Sequence, residues 1–181
     1  MYTQVDGGLP ASASSLLTPL VVFDKDSSQF LVQETVDPII AMLNTVFGFV
    51  PGHKLNIFAG LNEYLSALLA MTQLQSLLNR EQLLQVFMCI EATIPFRKPD
   101  NQGVTWPERL HVRSDAYVRD HGLLLDEQQV VAAVHRAVSL ANNDVGGFSA
   151  LDTKFFLKNT WNLLPEANPN LRKPGIYTLK V

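Results

Sequence analysis

Apolar side chains recur every three or four positions along most of the chain, a spacing typical of helices with one buried face. Capping residues support the ends of several helices: Asp37 with Pro38 and then Gly48 bound the first, and Asp126 precedes the fifth. A capping-box pattern, Ser149-x-x-Asp152, opens the last. The predicted helices lie at about residues 38–47, 62–78, 80–93, 107–121 and 127–144, and after residue 149 up to about residue 161. These features predict an all-α fold, a single-domain helical bundle.

The segments outside these helices divide the chain into three parts. Residues 1–34 are predicted to form a loose arm, in which Leu20–Phe23 is a short extended piece. Residues 35–165 form the helical domain, and residues 166–181 form a loop or extended tail rich in turn signals. Within the domain, Pro51 and Gly52 predict that Phe49–Asn56 is irregular.

Composition and charge narrow the function classes. The 181 residues are 47% hydrophobic, enough for a sizeable core, and the net charge of −3 provides no basic field for nucleic acid. The single cysteine, Cys89, excludes an intrachain disulfide and a thiolate zinc cluster, and it is interpreted as a buried thiol. Neither a signal peptide nor an apolar run of about 20 residues is visible, so we expect a cytoplasmic protein without a membrane partner.

Glu91 is a charged residue at a position that should be apolar. Leu84, Met88 and Glu91 share one face of the third predicted helix. An ionised carboxylate on such a face costs free energy unless a cation, a metal or hydrogen-bond donors meet it. Two interpretations follow: Glu91 pairs with Arg97 or a backbone amide at the rim of the core, or it takes part in catalysis.

The fifth predicted helix ends in a polar cluster. Two lines of side chains run along it: Val130, Val134, Ala137 and Ala141 in one, and Val131, His135, Val138 and Asn142 in the other. Asp144 continues the first line. A negative charge at the C-terminus of a helix is unfavourable, which makes Asp144 a functional candidate. Asn142 and Asn143 are interpreted as C-terminal caps, and His135 as a core histidine or a ligand.

Further candidates lie around the start of the second predicted helix. Glu63 opens the helix, where the helix dipole stabilises a carboxylate. His53, in the loop before the helix, is either exposed and idle or a ligand for metal or phosphate. His111 and His121 lie among arginines, and both are interpreted as surface residues.

Two segments together resemble the HD superfamily of metal-dependent phosphohydrolases, over about residues 45–165. They are Asn62-Glu63-x-x-Ser66-Ala67-x-x-Ala70 and Ile90-Glu91-Ala92-Thr93-Ile94-Pro95. The resemblance implies an all-α, HD-domain or PDEase-like fold and a divalent metal such as Mn, Mg, Fe or Zn. It assigns the site residues as follows: His53, Glu63 and Asp144 to the metal, Glu91 and His135 to proton transfer, and Asn62, Arg97, Asn142 and Asn143 to the ligand.

One departure from that family decides the favoured hypothesis. The chain has no His-Asp dipeptide in that order, and no histidine precedes His53. We therefore expect a degenerate, non-catalytic HD-like domain that binds a nucleotide-like ligand or a protein partner, without a cofactor. One alternative is a metal-dependent phosphohydrolase acting on a nucleotide or phosphomonoester. Another is an assembly protein that forms a homodimer through Phe155, Phe156 and Trp161.

Overall fold

The computed structural model describes residues 17, 20–24, 29–55, 59–95, 97–146 and 152–161. Most of these residues are helical, as predicted, and a small three-stranded sheet accompanies the helices. The helices are α1 (Pro38–Phe47), α2 (Leu61–Leu74), α3 (Arg80–Ala92), α4 (Trp106–His121), α5 (Glu127–Gly146) and α6 (Thr153–Trp161). The strands are β1 (Val21–Asp24), β2 (Gln29–Val32) and β3 (Lys54–Leu55).

Local capping explains where several helices begin and end. The Asp37 carboxylate accepts a hydrogen bond from the Ile39 amide at 2.7 Å, and Gly48 ends α1 in the left-handed conformation with a φ of 70°. At the start of α3, Asn79 and Gln82 bond each other's backbone amides at 2.8 and 3.0 Å. The ends predicted for the first helix are therefore confirmed, each with its physical cause.

Two predicted helix ends lie at other residues in the structure. The second helix stops at Leu74, and residues 75–77 are turns instead of the helix predicted up to residue 78. The last helix begins at Thr153, because the Asp152 carboxylate itself caps it by accepting a 2.8 Å hydrogen bond from the Lys154 amide. Asp152 is thus the N-cap and not the fourth residue of a capping box, and Ser149 lies outside the described residues.

The sheet as a whole was not predicted, although β1 overlaps Leu20–Phe23, which was predicted to be extended. Its order is β1-β2-β3, antiparallel throughout, with Val21 opposite Val32 and Phe30 opposite Leu55. The prediction that Phe49–Asn56 is irregular was wrong at residues 54–55, which form β3 by pairing with distant β2. Two of the strands, β1 and β2, lie in the segment that was predicted to be a loose arm.

Helix α3 lies at the centre of the bundle and packs against α1, α2, α4 and α5. Four large side chains on it are almost completely buried: Leu83, Leu84, Phe87 and Met88. Burying one such side chain contributes about 1.5–3 kcal/mol, so this helix dominates the core. Among the described residues, no helix combines the length and apolar character needed to cross a bilayer.

Candidate functional site

Glu91, at the C-terminal end of α3, belongs to a buried ion-pair cluster. The residue is only 1% exposed. Its Oε1 accepts hydrogen bonds from Arg97 Nη1 at 2.6 Å and from Arg113 Nη2 at 2.9 Å. The predicted pairing with Arg97 is confirmed, and Arg113, on α4, is a second partner. Burial raises the pKa of the Glu91 carboxyl, and the charges of Arg97 and Arg113 oppose that rise.

The two arginines tie this cluster to the surrounding backbone. Arg97 donates to the carbonyl oxygens of Ile94 at 3.1 Å and Ala92 at 3.2 Å, and its guanidinium lies 4.5 Å from the centre of the Trp106 ring. Arg113 donates to the carbonyl of Val46 in the last turn of α1 at 3.0 Å. The cluster therefore joins α1, α3, α4 and the loop after α3.

These contacts are internal to the fold. Arg97 donates to Glu91 and to backbone carbonyls through all three of its side-chain nitrogens, and Arg113 donates to Glu91 and to the Val46 carbonyl through two. Within the described residues, Glu91 Oε2 has no hydrogen-bond partner, but it is fully buried. The ligand-binding role predicted for Arg97 and the catalytic role predicted for Glu91 thus gain no support from these contacts.

The charge of Asp144, near the end of α5, affects the pKa of Glu63 in the first turn of α2. Burial raises the pKa of the Glu63 carboxyl; the charge of Arg97 opposes the rise and the charge of Asp144 adds to it. Asp144 is exposed, as are Asn142 and Asn143 beside it. Glu63 therefore lies within electrostatic range of both Arg97 and Asp144.

The remaining predicted site residues near α2 have separate surroundings. The His53 ring stacks on Phe49, with ring centres 4.4 Å apart. Asn62 is half-buried in the first turn of α2. Within the described part of the chain, no three His, Cys, Asp or Glu side chains lie close enough to hold a metal ion. The described residues therefore do not provide the donor set that an HD-type metal requires.

A groove between α4 and α5 is a second candidate site. Its volume is about 390 Å³, within the range of small-molecule sites. Each helix contributes one stripe of side chains at helical spacing. The lining residues are Pro107, Glu108, His111 and Val112 from α4, and Val131, Val134, His135 and Val138 from α5. The walls are mainly apolar, with three polar side chains among them.

The polar side chains of the groove differ in their bonding. Glu108 Oε2 accepts hydrogen bonds from the Thr105 amide at 2.7 Å and the Thr105 hydroxyl at 2.6 Å, and these bonds lower the pKa of Glu108. His111 is half-buried, and its Nε2 is buried with no hydrogen-bond partner among the described residues. His135 is exposed. An apolar groove with these groups suits a small amphipathic molecule.

Sequence reasoning found one side of this groove and missed the other. His135 was a predicted site residue, and it lies here together with Val131 and Val138 from the same predicted line along α5. Glu108 and His111 were missed because their charged neighbours indicated a solvated surface. The available signal was the four-residue spacing of Pro107 and His111, which places a second stripe on α4.

Comparisons of the chain with protein-family models, with curated proteins and with solved structures gave no match. The resemblance to the HD superfamily therefore stays a prediction, and the site must be argued from the geometry of the chain itself.

Proposed function

We propose that this chain is a non-catalytic helical domain that binds a small, mainly apolar molecule in the groove between α4 and α5. The observation that carries the proposal is the groove itself, a concave site of about 390 Å³ with apolar walls and a few polar groups. The proposal keeps the expected ligand-binding role and moves it away from the end of α3.

The chemistry of the two candidate sites favours an apolar ligand over a nucleotide. A phosphate needs cationic donors, and the charges of Arg97 and Arg113 are already partly balanced by Glu91, with further hydrogen bonds directed to carbonyl oxygens. The groove offers valine side chains and a carboxylate, Glu108, which repels phosphate.

The proposal can be tested with N-phenyl-1-naphthylamine, a neutral dye whose fluorescence rises in apolar surroundings. The protein should bind the dye saturably, near one molecule per chain. Val112 lines the groove and is 63% exposed, so Val112→Lys should abolish binding without disturbing the core. Val36→Lys is the matched control, because Val36 is fully exposed outside the groove.

Two results would contradict this proposal. Dye binding that never saturates would indicate general adhesion to apolar surface instead of a site. Equal binding by the wild-type protein and Val112→Lys, with circular dichroism showing both folded, would place the site elsewhere.

The metal-dependent phosphohydrolase remains the second hypothesis. It rests on the electrostatic effect of Asp144 on the Glu63 carboxyl and on the resemblance to the HD superfamily. Elemental analysis of protein purified without chelator separates the hypotheses, because only this one requires a bound metal.

The homodimer hypothesis has an observation of its own. Phe155 and Leu157 on α6 are 52% and 50% exposed, which gives this short helix an apolar surface. Light scattering coupled to size-exclusion chromatography would test self-association directly.

A further inference from the structure

We infer that the ligand of the α4–α5 groove carries a primary ammonium group on an apolar body. This inference rests on the proposed function and names the chemical class of the ligand. It follows from the polar groups that the groove presents and from the charge that it lacks.

The first step concerns formal charge. Among the eight described residues that line the groove, none is Lys or Arg, and Glu108 is the carboxylate. The amide and the hydroxyl of Thr105 both donate to Glu108 Oε2, and these bonds favour the ionised form of the Glu108 carboxyl group. The groove therefore attracts a cationic ligand and repels an anionic one.

The second step concerns hydrogen bonding. An ammonium group has three donors and no acceptor, and a neutral imidazole has one acceptor nitrogen. His111, on α4, and His135, on the facing α5, line the same groove as Glu108. The Glu108 carboxylate and the exposed His135 imidazole supply acceptors of the kind that an ammonium group requires, while Val131, Val134 and Val138 receive the apolar body.

The experiment compares three ligands that share an octyl chain and differ only in the head group: octylamine, octanol and octanoate. Each is titrated into the full chain by calorimetry near neutral pH, where an alkylammonium is protonated. We expect octylamine to bind about tenfold more tightly than octanol, and octanoate to bind most weakly.

Variants assign that preference to the groove. Glu108→Gln keeps an oxygen for the Thr105 bonds and removes the charge, so it should weaken octylamine binding about threefold to fivefold and leave octanol unchanged. Adding His135→Leu should remove the remaining preference. Glu127→Gln is the matched control, because Glu127 is an exposed carboxylate at the start of α5 that does not line the groove.

The outcomes separate this inference from the proposed function. If no octyl compound binds, both are wrong. If all three bind equally, the groove accepts apolar molecules and only the inference fails. A preference for the amine that Glu108→Gln does not change, or that Glu127→Gln reduces equally, would also overturn the inference.

Discussion

Removing the two arginines from the Glu91 cluster should destabilise the protein by more than the sum of the separate losses. Arg97→Met or Arg113→Met alone deletes one charged donor and leaves Glu91 the other, at 2.9 or 2.6 Å. Each loss of a hydrogen bond to a charged group should cost about 1.5–3 kcal/mol. In the double variant the carboxylate is also left buried without a cation, an added cost of about 3–5 kcal/mol that neither single variant carries.

The assay is urea unfolding followed by circular dichroism, with Glu91→Gln added to the double variant as the control. A neutral amide needs no cation, so this third change should recover part of the lost free energy of unfolding. Recovery distinguishes an unpaired charge from simple loss of arginine packing.

The pH dependence provides a second readout. Burial already raises the Glu91 pKa, and the double variant lacks the two positive charges that oppose this rise. A carboxyl group with a higher pKa in the folded state than in the unfolded state binds its proton more tightly when folded. The double variant should therefore lose stability as the pH rises from about 4 towards 8. Additive single losses, no recovery with Glu91→Gln and a flat pH profile would refute the reasoning.

Two further predictions concern stability. Gly60→Ala should lower the thermal midpoint more than Gly52→Ala does. Both glycines have positive φ, 96° and 81°, but only at Gly60 would the new Cβ lie 2.8 Å from a side-chain atom, Ile94 Cδ1. Equal shifts in thermal midpoint would contradict this steric argument. Tyr64→Phe should lower the free energy of unfolding by about 1–3 kcal/mol, because the Tyr64 hydroxyl donates a buried 2.6 Å hydrogen bond to Asn44 Oδ1. Urea unfolding that shows no loss would mean that this bond does not contribute to stability.

The helices could be predicted because their signals are local. Asp37, Gly48 and Asp126 act on backbone groups within a few residues, so their positions in the sequence indicate where helices begin and end. Strand β3 could not be predicted in the same way. It has two residues, too few for a periodic pattern, and it exists through pairing with β2, more than twenty residues earlier.

The same distinction applies to the candidate sites. Glu91 was recognisable as a carboxylate on an apolar face, and Arg97, six residues on, was a natural partner. Arg113 lies 22 residues away on another helix, and the packing of α4 beside α3 decides that contact. His111 was interpreted as a surface residue for a similar reason, since the groove appears only when α4 and α5 lie side by side.

The most direct test of a ligand site between α4 and α5 is methyl NMR of valine-labelled protein during titration with N-phenyl-1-naphthylamine. Chemical-shift changes should concentrate on the four groove valines, Val112, Val131, Val134 and Val138, while buried Val46 and exposed Val36 and Val50 stay unchanged. Shifts centred on Val36 or Val50, or spread evenly over all valines, would contradict this prediction.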